Sequence, residues 1–266
     1  MLLSVGLAVM ASLALTPAQT PCDGWTTEAF WRAADPATVR GCISQGYSLN
    51  DRSPFRNATP LHWAAAASDD PEVVSALVEA GASLEAVSRE GRTPLHFAAR
   101  SNGNLEVLRA LLRYEPDVYA RNPEGRTPLH LAALWNDNPD VVEELARVTD
   151  VNVRARGGET PLHSATRSRG FPAVPNPDPD VVAVLLRRGA DLAAEGKGAT
   201  GWATPGLWAD DGRVVEMIRE EEVRREAMRE RFLRYVATRV AVGTVVLAVL
   251  GYLWARFGRT RRFATG

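Results

Sequence analysis

The sequence predicts an all-α repeat solenoid, a stack of helix-turn-helix units with β-hairpin loops, followed by a helical stalk and one transmembrane helix. Two observations predict the stack. The tetrapeptide Thr-Pro-Leu-His begins at Thr59, Thr93, Thr127 and Thr160, in steps of 34, 34 and 33 residues. Similar helix patterns follow: alanine pairs at Ala64-Ala65, Ala98-Ala99 and Ala132-Ala133, then Glu72-Val73-Val74, Glu106-Val107-Leu108, Asp140-Val141-Val142 and Asp180-Val181-Val182. A period of this length marks units that bury their apolar faces only against one another. A third observation predicts the remainder. The repeat pattern stops near Glu222, a charge-dense stretch follows, and Val240 to Ala255 carries no charge.

Each element has a physical reason. Threonine suits the N-cap of a first helix, and proline suits its first position, where no amide donor is needed. Leucine and the small alanines let two helices and the next unit approach closely. Two residues before each threonine stands Asn57, Gly91, Gly125 or Gly158, residue types that accept positive φ in a turn. Leu49, Leu84, Val118, Val151 and Leu192 recur after the second helices and can pin the hairpins to the stack. At the ends the pattern fades. Ala29 to Ala34 with Val39 to Ile43 reads as an N-terminal cap repeat. Gly201 to Ala209 with Val214 to Ile218 reads as a degenerate C-terminal one, since a terminal repeat has one face in water.

Thr-Pro-Leu-His at this period resembles the ankyrin-repeat family, here of an exported, membrane-anchored bacterial type. The resemblance covers roughly Thr26 to Glu222. It implies that the threonine and histidine pairs Thr59 and His62, Thr93 and His96, Thr127 and His130, and Thr160 and His163 knit adjacent repeats together. It also implies a protein partner, held in the concave groove of hairpin tips and first helices. Candidate partner-binding residues on that surface are Arg52, Arg89, Arg121, Arg154 and Trp135. The alternative for the arginines is a row of solvated hairpin residues, partly offset by Asp51, Glu90, Glu124 and Glu159. Trp63, Phe97 and Leu131 share the position after histidine and read as packing residues, a run that Ser164 breaks.

These readings divide the chain into a signal peptide (1–18), an N-terminal segment with cap repeat (19–58) and four repeats over 59–200 (59–92, 93–126, 127–159 and 160–200). A degenerate cap (201–222), a charged helical stalk (223–235), a transmembrane helix (236–255) and a basic tail (256–266) follow. The apolar run Leu2 to Leu15, with small residues Thr16 and Ala18 after it, has the form of a secretory signal. No Lys or Arg precedes that run, so an uncleaved anchor or a wrongly placed start is the rival. The uncharged Val240 to Ala255 gives only about 24 Å of helix against a core of about 30 Å. Snorkelling by Arg239 lets the span begin near Tyr235, and Tyr252 and Trp254 fall where an interfacial aromatic belt lies. The alternative is a buried core helix. Cys22 and Cys42 are the only cysteines. They suit one disulfide in an oxidising compartment, with two buried free thiols as the alternative. In repeat four the proline-rich insertion from Arg167 to Pro179 favours extended chain, either a surface loop or a binding element. Along the stalk Glu220 and Arg224, Glu221 and Arg225, and Glu230 and Arg234 stand at the i,i+4 spacing of helical ion pairs.

No catalysis is expected. All four histidines sit in the repeated tetrapeptide, no nucleophile, phosphate-loop or dinucleotide motif is present, and no cofactor or metal is implied. The net charge of −1 points to no nucleic-acid partner. The sequence therefore predicts a membrane-anchored scaffold or adaptor with its repeats periplasmic or extracytoplasmic and its tail cytoplasmic. Two alternatives stay open: a non-catalytic accessory subunit of a membrane or periplasmic enzyme complex, and a tail-anchored adaptor facing the cytoplasm.

Overall fold

A computed structural model describes residues 22–167, 178–198, 201–205 and 211–257, with the side chains of 197–203 and 237–257 excepted. The expected signal peptide, residues 168–177 of the proline-rich insertion, residues 206–210 of the degenerate cap and the tail beyond Phe257 lie outside the described residues. The chain divides into two compact units, 1–210 and 211–266.

In the first unit, helices alternate between two layers. The first-helix layer holds α1 (Glu28–Ala33), α3 (Pro60–Ala67), α5 (Pro94–Ser101), α7 (Pro128–Trp135) and α9 (Pro161–Thr166). The second-helix layer holds α2 (Pro36–Ser44), α4 (Pro71–Glu79), α6 (Leu105–Leu112), α8 (Pro139–Val148) and α10 (Pro179–Arg187). Within each layer every helix packs on its counterpart one repeat along. Leu61, Leu95, Leu129 and Leu162 of the tetrapeptides are at most 1% exposed, so the repeated leucine is the spine of the core. The second helices start on side-chain caps. Asp70, Asn104, Asn138 and Asp178 each accept the backbone N–H two residues on, at 2.8–2.9 Å, which satisfies one of the unpaired first-turn donors.

The hairpins close through backbone bonds from Ser53 to Ala58, Ser88 to Arg92, Asn122 to Arg126 and Ala155 to Glu159. Asn57, Gly91, Gly125 and Gly158 all take positive φ there, from 52° to 78°, as the sequence pattern requires. The first hairpin is one residue longer than the others, and its tip is Pro54-Phe55. Beyond α10, β1 (Gly196–Gly198) pairs antiparallel with β2 (Gly201–Ala203). These are the only strands among the described residues, and they place Gly201 to Ala203 in a hairpin ahead of Thr204-Pro205.

The N-terminal cap has a core the repeat pattern does not foretell. Trp31 is fully buried and donates its indole N–H to the Trp25 carbonyl at 2.9 Å. Trp25 in turn donates to the Ser48 carbonyl at 2.9 Å and packs with Phe30, Trp31 and Tyr47. Cys22 and Cys42 are buried in this cap and paired as a disulfide with Cα atoms 5.7 Å apart.

The second unit contains one continuous 46-residue helix, α11 (Gly212–Phe257). Val214 and Ile218 are buried in its first turns, whereas Val223, Met228, Phe232, Leu233, Tyr235 and Val236 are exposed. Two of the expected stalk pairs form, Arg225 with Glu221 at 2.8 Å and Arg234 with Glu230 at 3.0 Å. The third differs: Arg224 reaches Glu221 at 2.7 Å, three residues back, instead of Glu220. Glu221 thus holds two guanidinium groups. Among the described residues no helix is long and apolar enough to cross a membrane. The backbone over 236–255 is helical, and its side chains beyond Val236 lie outside that description.

Candidate functional site

The histidines account for both of their ring nitrogens. Nδ1 of His62 accepts the Thr59 backbone N–H at 3.1 Å and lies 2.8 Å from Thr59 Oγ1, while Nε2 is 2.9 Å from the Arg92 carbonyl oxygen. His96 repeats this with Thr93 and the Arg126 carbonyl. His130 does so with Thr127 and the Glu159 carbonyl. The threonine bond is therefore local, and the carbonyl bond alone reaches the hairpin that leads into the next repeat. An amide N–H cannot accept, so Nδ1 carries the lone pair and Nε2 the proton. Threonine's hydroxyl donates to this ring, and the ring accepts the threonine's own backbone N–H, the return half of a capping box. His163 binds Thr160 in the same way, and a Cβ on Gly196 would lie 3.0 Å from its Nε2, so the following hairpin closes directly over the ring. Burial lowers the pKa of His62, His96 and His130 from 6.5 to about 4. Neutral, immersed and fully bonded, these rings are joints of the stack. Among the described residues no group of His, Cys, Asp and Glu could hold a metal.

The candidate arginines lie along the hairpins and stitch them. Nη1 of Arg52 donates to the Asn57 carbonyl at 2.8 Å and to the Val87 carbonyl at 2.7 Å. Nη1 of Arg121 donates likewise to Gly125 at 2.8 Å and Arg154 at 2.7 Å, and Arg154 reaches Glu195 at 3.5 Å. Aligned on their closing residues, the hairpins carry Arg52, Val87, Arg121 and Arg154 at one position. Each arginine bonds the equivalent residue one repeat on, and Val87, 52% exposed, is the gap. Val87→Arg is expected to reach the Arg121 carbonyl and stabilise the stack by about 0.5–1 kcal/mol, the lower range for a hydrogen bond because the site is exposed. The check is the urea midpoint: an unchanged or lowered value means the position is not a stitch. Arg89 sits elsewhere on its hairpin. Its backbone N–H donates to the Arg56 carbonyl at 2.7 Å and its guanidinium reaches the Pro54 carbonyl at 3.4 Å. All four guanidinium groups stay exposed. A guanidinium has five donors, so a stitched arginine keeps others for a bound group.

The first helices supply the rest of this surface. Trp135 is half-buried under the Arg100 guanidinium, 4.9 Å from the ring centroid, so it is less open than an exposed anchor. Arg100, Ser101, Gly103 and Trp135 to Asn138 line a shallow cavity of about 380 Å³. Two repeats back, Arg56 lies 5.7 Å from the Trp63 ring, which meets Phe97 edge-on at 6.1 Å. Phe97 and Leu131 are buried as expected of packing residues. Ser164 breaks their run for a local reason. Its hydroxyl donates at 3.0 Å to Glu159, a buried carboxylate that also pairs with Arg126 at 3.0 Å.

Sequence reasoning missed two features. Phe55, at the tip of the longer hairpin, is 85% exposed, the most exposed large apolar side chain among the described residues. Its only signal was the extra residue before Thr59. Buried Asn102 and Asn136 form a second inter-repeat ladder. Asn102 donates its side-chain amide to the Ala65 and Ser68 carbonyls, and Asn136 to those of Ala99 and Asn102, all within 3.0 Å.

Stacked helix pairs with tetrapeptide caps, His-to-carbonyl joints and stitched hairpins define a repeat protein with a continuous one-sided surface. The family model for ankyrin repeats (three copies) matches residues 31–122 and 101–195, more than half of the chain, and the chain belongs to the ankyrin-repeat family. A search of curated proteins finds no match. Ankyrin repeats generally bind other proteins and are typically non-catalytic interaction modules.

Proposed function

We propose that this chain is a membrane-anchored scaffold or adaptor whose hairpin and first-helix surface binds another protein. The observation that carries the reading is pre-arrangement. Hairpin backbones are bonded to their neighbours at 2.7 Å from Arg89 to Arg56 and 3.0 Å from Arg156 to Glu124, yet they present Phe55 and a row of arginines to solvent. A surface already ordered loses little freedom on binding. Aromatic and arginine side chains are the usual anchors of such interfaces, and the basic row favours a partner face bearing carboxylates. The anchor is residues 236–255 of α11. The paired Cys22 and Cys42 support an oxidising compartment for the repeats, with the basic tail in the cytoplasm. Photo-crosslinking amino acids in place of Phe55, Arg89 or Trp135, compared in native membranes with one at exposed Arg113 in the second-helix layer, test the binding surface. One protein should be captured from the first three positions and not from Arg113. Equal capture at all four, or adducts only between copies of this chain, would overturn it.

A further inference from the structure

The exposed apolar side chains of α11 are gathered at one place. Val223 stands alone among charges, but Phe232-Leu233-Arg234-Tyr235-Val236 is apolar at four of five positions. Phe232, Leu233 and Tyr235 are 64%, 56% and 56% exposed. Met228, Phe232, Tyr235 and Val236 fall at i, i+4, i+7 and i+8, one face of the helix. Leaving such a face in water over two turns is unfavourable. The same unbroken helix continues through the uncharged Val240 to Ala255. Tyr235 and Trp254 are 19 residues apart on it, a rise of about 29 Å, close to the hydrocarbon thickness of about 30 Å. Phe232 stands one turn, about 5 Å, further out, within the headgroup layer. Arg229 and Arg231 stand just before the cluster and Arg234 within it. The Arg234 side chain points back to Glu230 at 3.0 Å, away from the uncharged segment.

We propose that Phe232, Leu233 and Tyr235 form an interfacial collar seated in the lipid headgroup layer, where these arginines meet anionic phosphates. The collar sets the depth of the span. It rests on the membrane-anchored reading above and adds the lipid surface as the occupant of a named helix face. Aromatic residues favour this layer because one end of each ring is apolar and the other wet.

The test uses the full-length protein in vesicles of phosphatidylcholine and phosphatidylglycerol. Val223→Cys, Phe232→Cys and Tyr235→Cys are introduced singly, with native Cys22 and Cys42 left paired. Reaction with a membrane-impermeant maleimide is then timed. Val223 and Phe232 are equally exposed in the chain alone, at 63% and 64%, so water on both sides gives equal rates. The collar requires labelling at 232 and 235 at least about tenfold slower than at 223, since a seated side chain is shielded from an aqueous reagent. Rates within twofold, with the protein still retained after alkaline carbonate, overturn the collar and leave the anchor standing. Release by carbonate overturns both. Oxidative dimerisation through Phe232→Cys, with protection lost on dilution into excess lipid, assigns the face to a second copy and overturns the lipid assignment.

Discussion

At pH 5 the repeat stack is expected to be about 6 kcal/mol less stable than at pH 7, because His62, His96 and His130 are held neutral. Their folded pKa values are lowered by burial from 6.5 to about 4. The unfolded chain takes up protons as the pH falls below 6.5, and the folded chain does not until about 4. Stability is therefore complete above pH 6.5 and is lost as the pH falls through that window, about 2 kcal/mol per ring at pH 5. The geometry agrees in sign. A proton on Nδ1 would face the threonine N–H, setting donor against donor. Desolvation is the first cause and the carbonyl bond to Nε2 opposes it only in part. Carboxylates held low, such as Asp35 and Glu143, lose their contributions only below their ordinary values of 3.8 and 4.5, so the interval from pH 7 to 5 isolates the histidines. Typical domains are stable by 5–15 kcal/mol, so urea midpoints at the two pH values should differ greatly. A loss under about 1 kcal/mol at pH 5 would mean the rings are not buried neutral.

Gly125→Ala is expected to destabilise the middle of the stack by about 2–4 kcal/mol. Gly125 takes a φ of 75°, which strains any residue with a Cβ. The new Cβ would also lie 2.9 Å from the Arg156 backbone nitrogen. That nitrogen is not free to move, because its N–H bonds the Glu124 carbonyl at 3.0 Å. Gly125→Asn separates the two effects. Asparagine tolerates left-handed backbone, as Asn57 does at the equivalent position with φ 52°, but it brings the same Cβ. It should recover only part of the loss. Full recovery of the thermal midpoint by Gly125→Asn would show that the close approach costs nothing.

What the sequence made legible was what repeats in residue type. Thr-Pro-Leu-His announced the first helices, and Asn57, Gly91, Gly125 and Gly158 announced the positive-φ turns, because in each case one residue type answers one backbone demand. The candidate surface was half legible. Arginines could be counted on the hairpins, but their bonds to Asn57, Val87, Gly125 and Arg154 carbonyls could not be foreseen, since a backbone acceptor has no sequence signature. Asn102 and Asn136 were missed for the same reason. Glu159 stands where Arg92 and Arg126 stand in earlier repeats, and that reversal with Ser164 was a readable hint of the buried ion pair. The cap helices were legible, but the core that Trp25 and Trp31 build there was not, because the cap lacks the tetrapeptide that marks the other repeats.

The two ladders run in opposite directions along the chain. Each histidine reaches forward, to the carbonyl just before the next repeat's threonine. Each asparagine reaches backward, to carbonyls of the repeat before. The stack is thus a polar object, with unlike ends, in the way a screw has a hand. Shortening it from the C-terminal side past a hairpin strips a histidine of its acceptor, and shortening it from the N-terminal side past Ser68 strips Asn102. The first repeat already carries Ser68 in the asparagine position, where its hydroxyl turns inward to Asp70, so that end is finished by its own chemistry. A designed extension can therefore be spliced into the interior between matched joints, because each joint asks only for a backbone carbonyl that every repeat supplies.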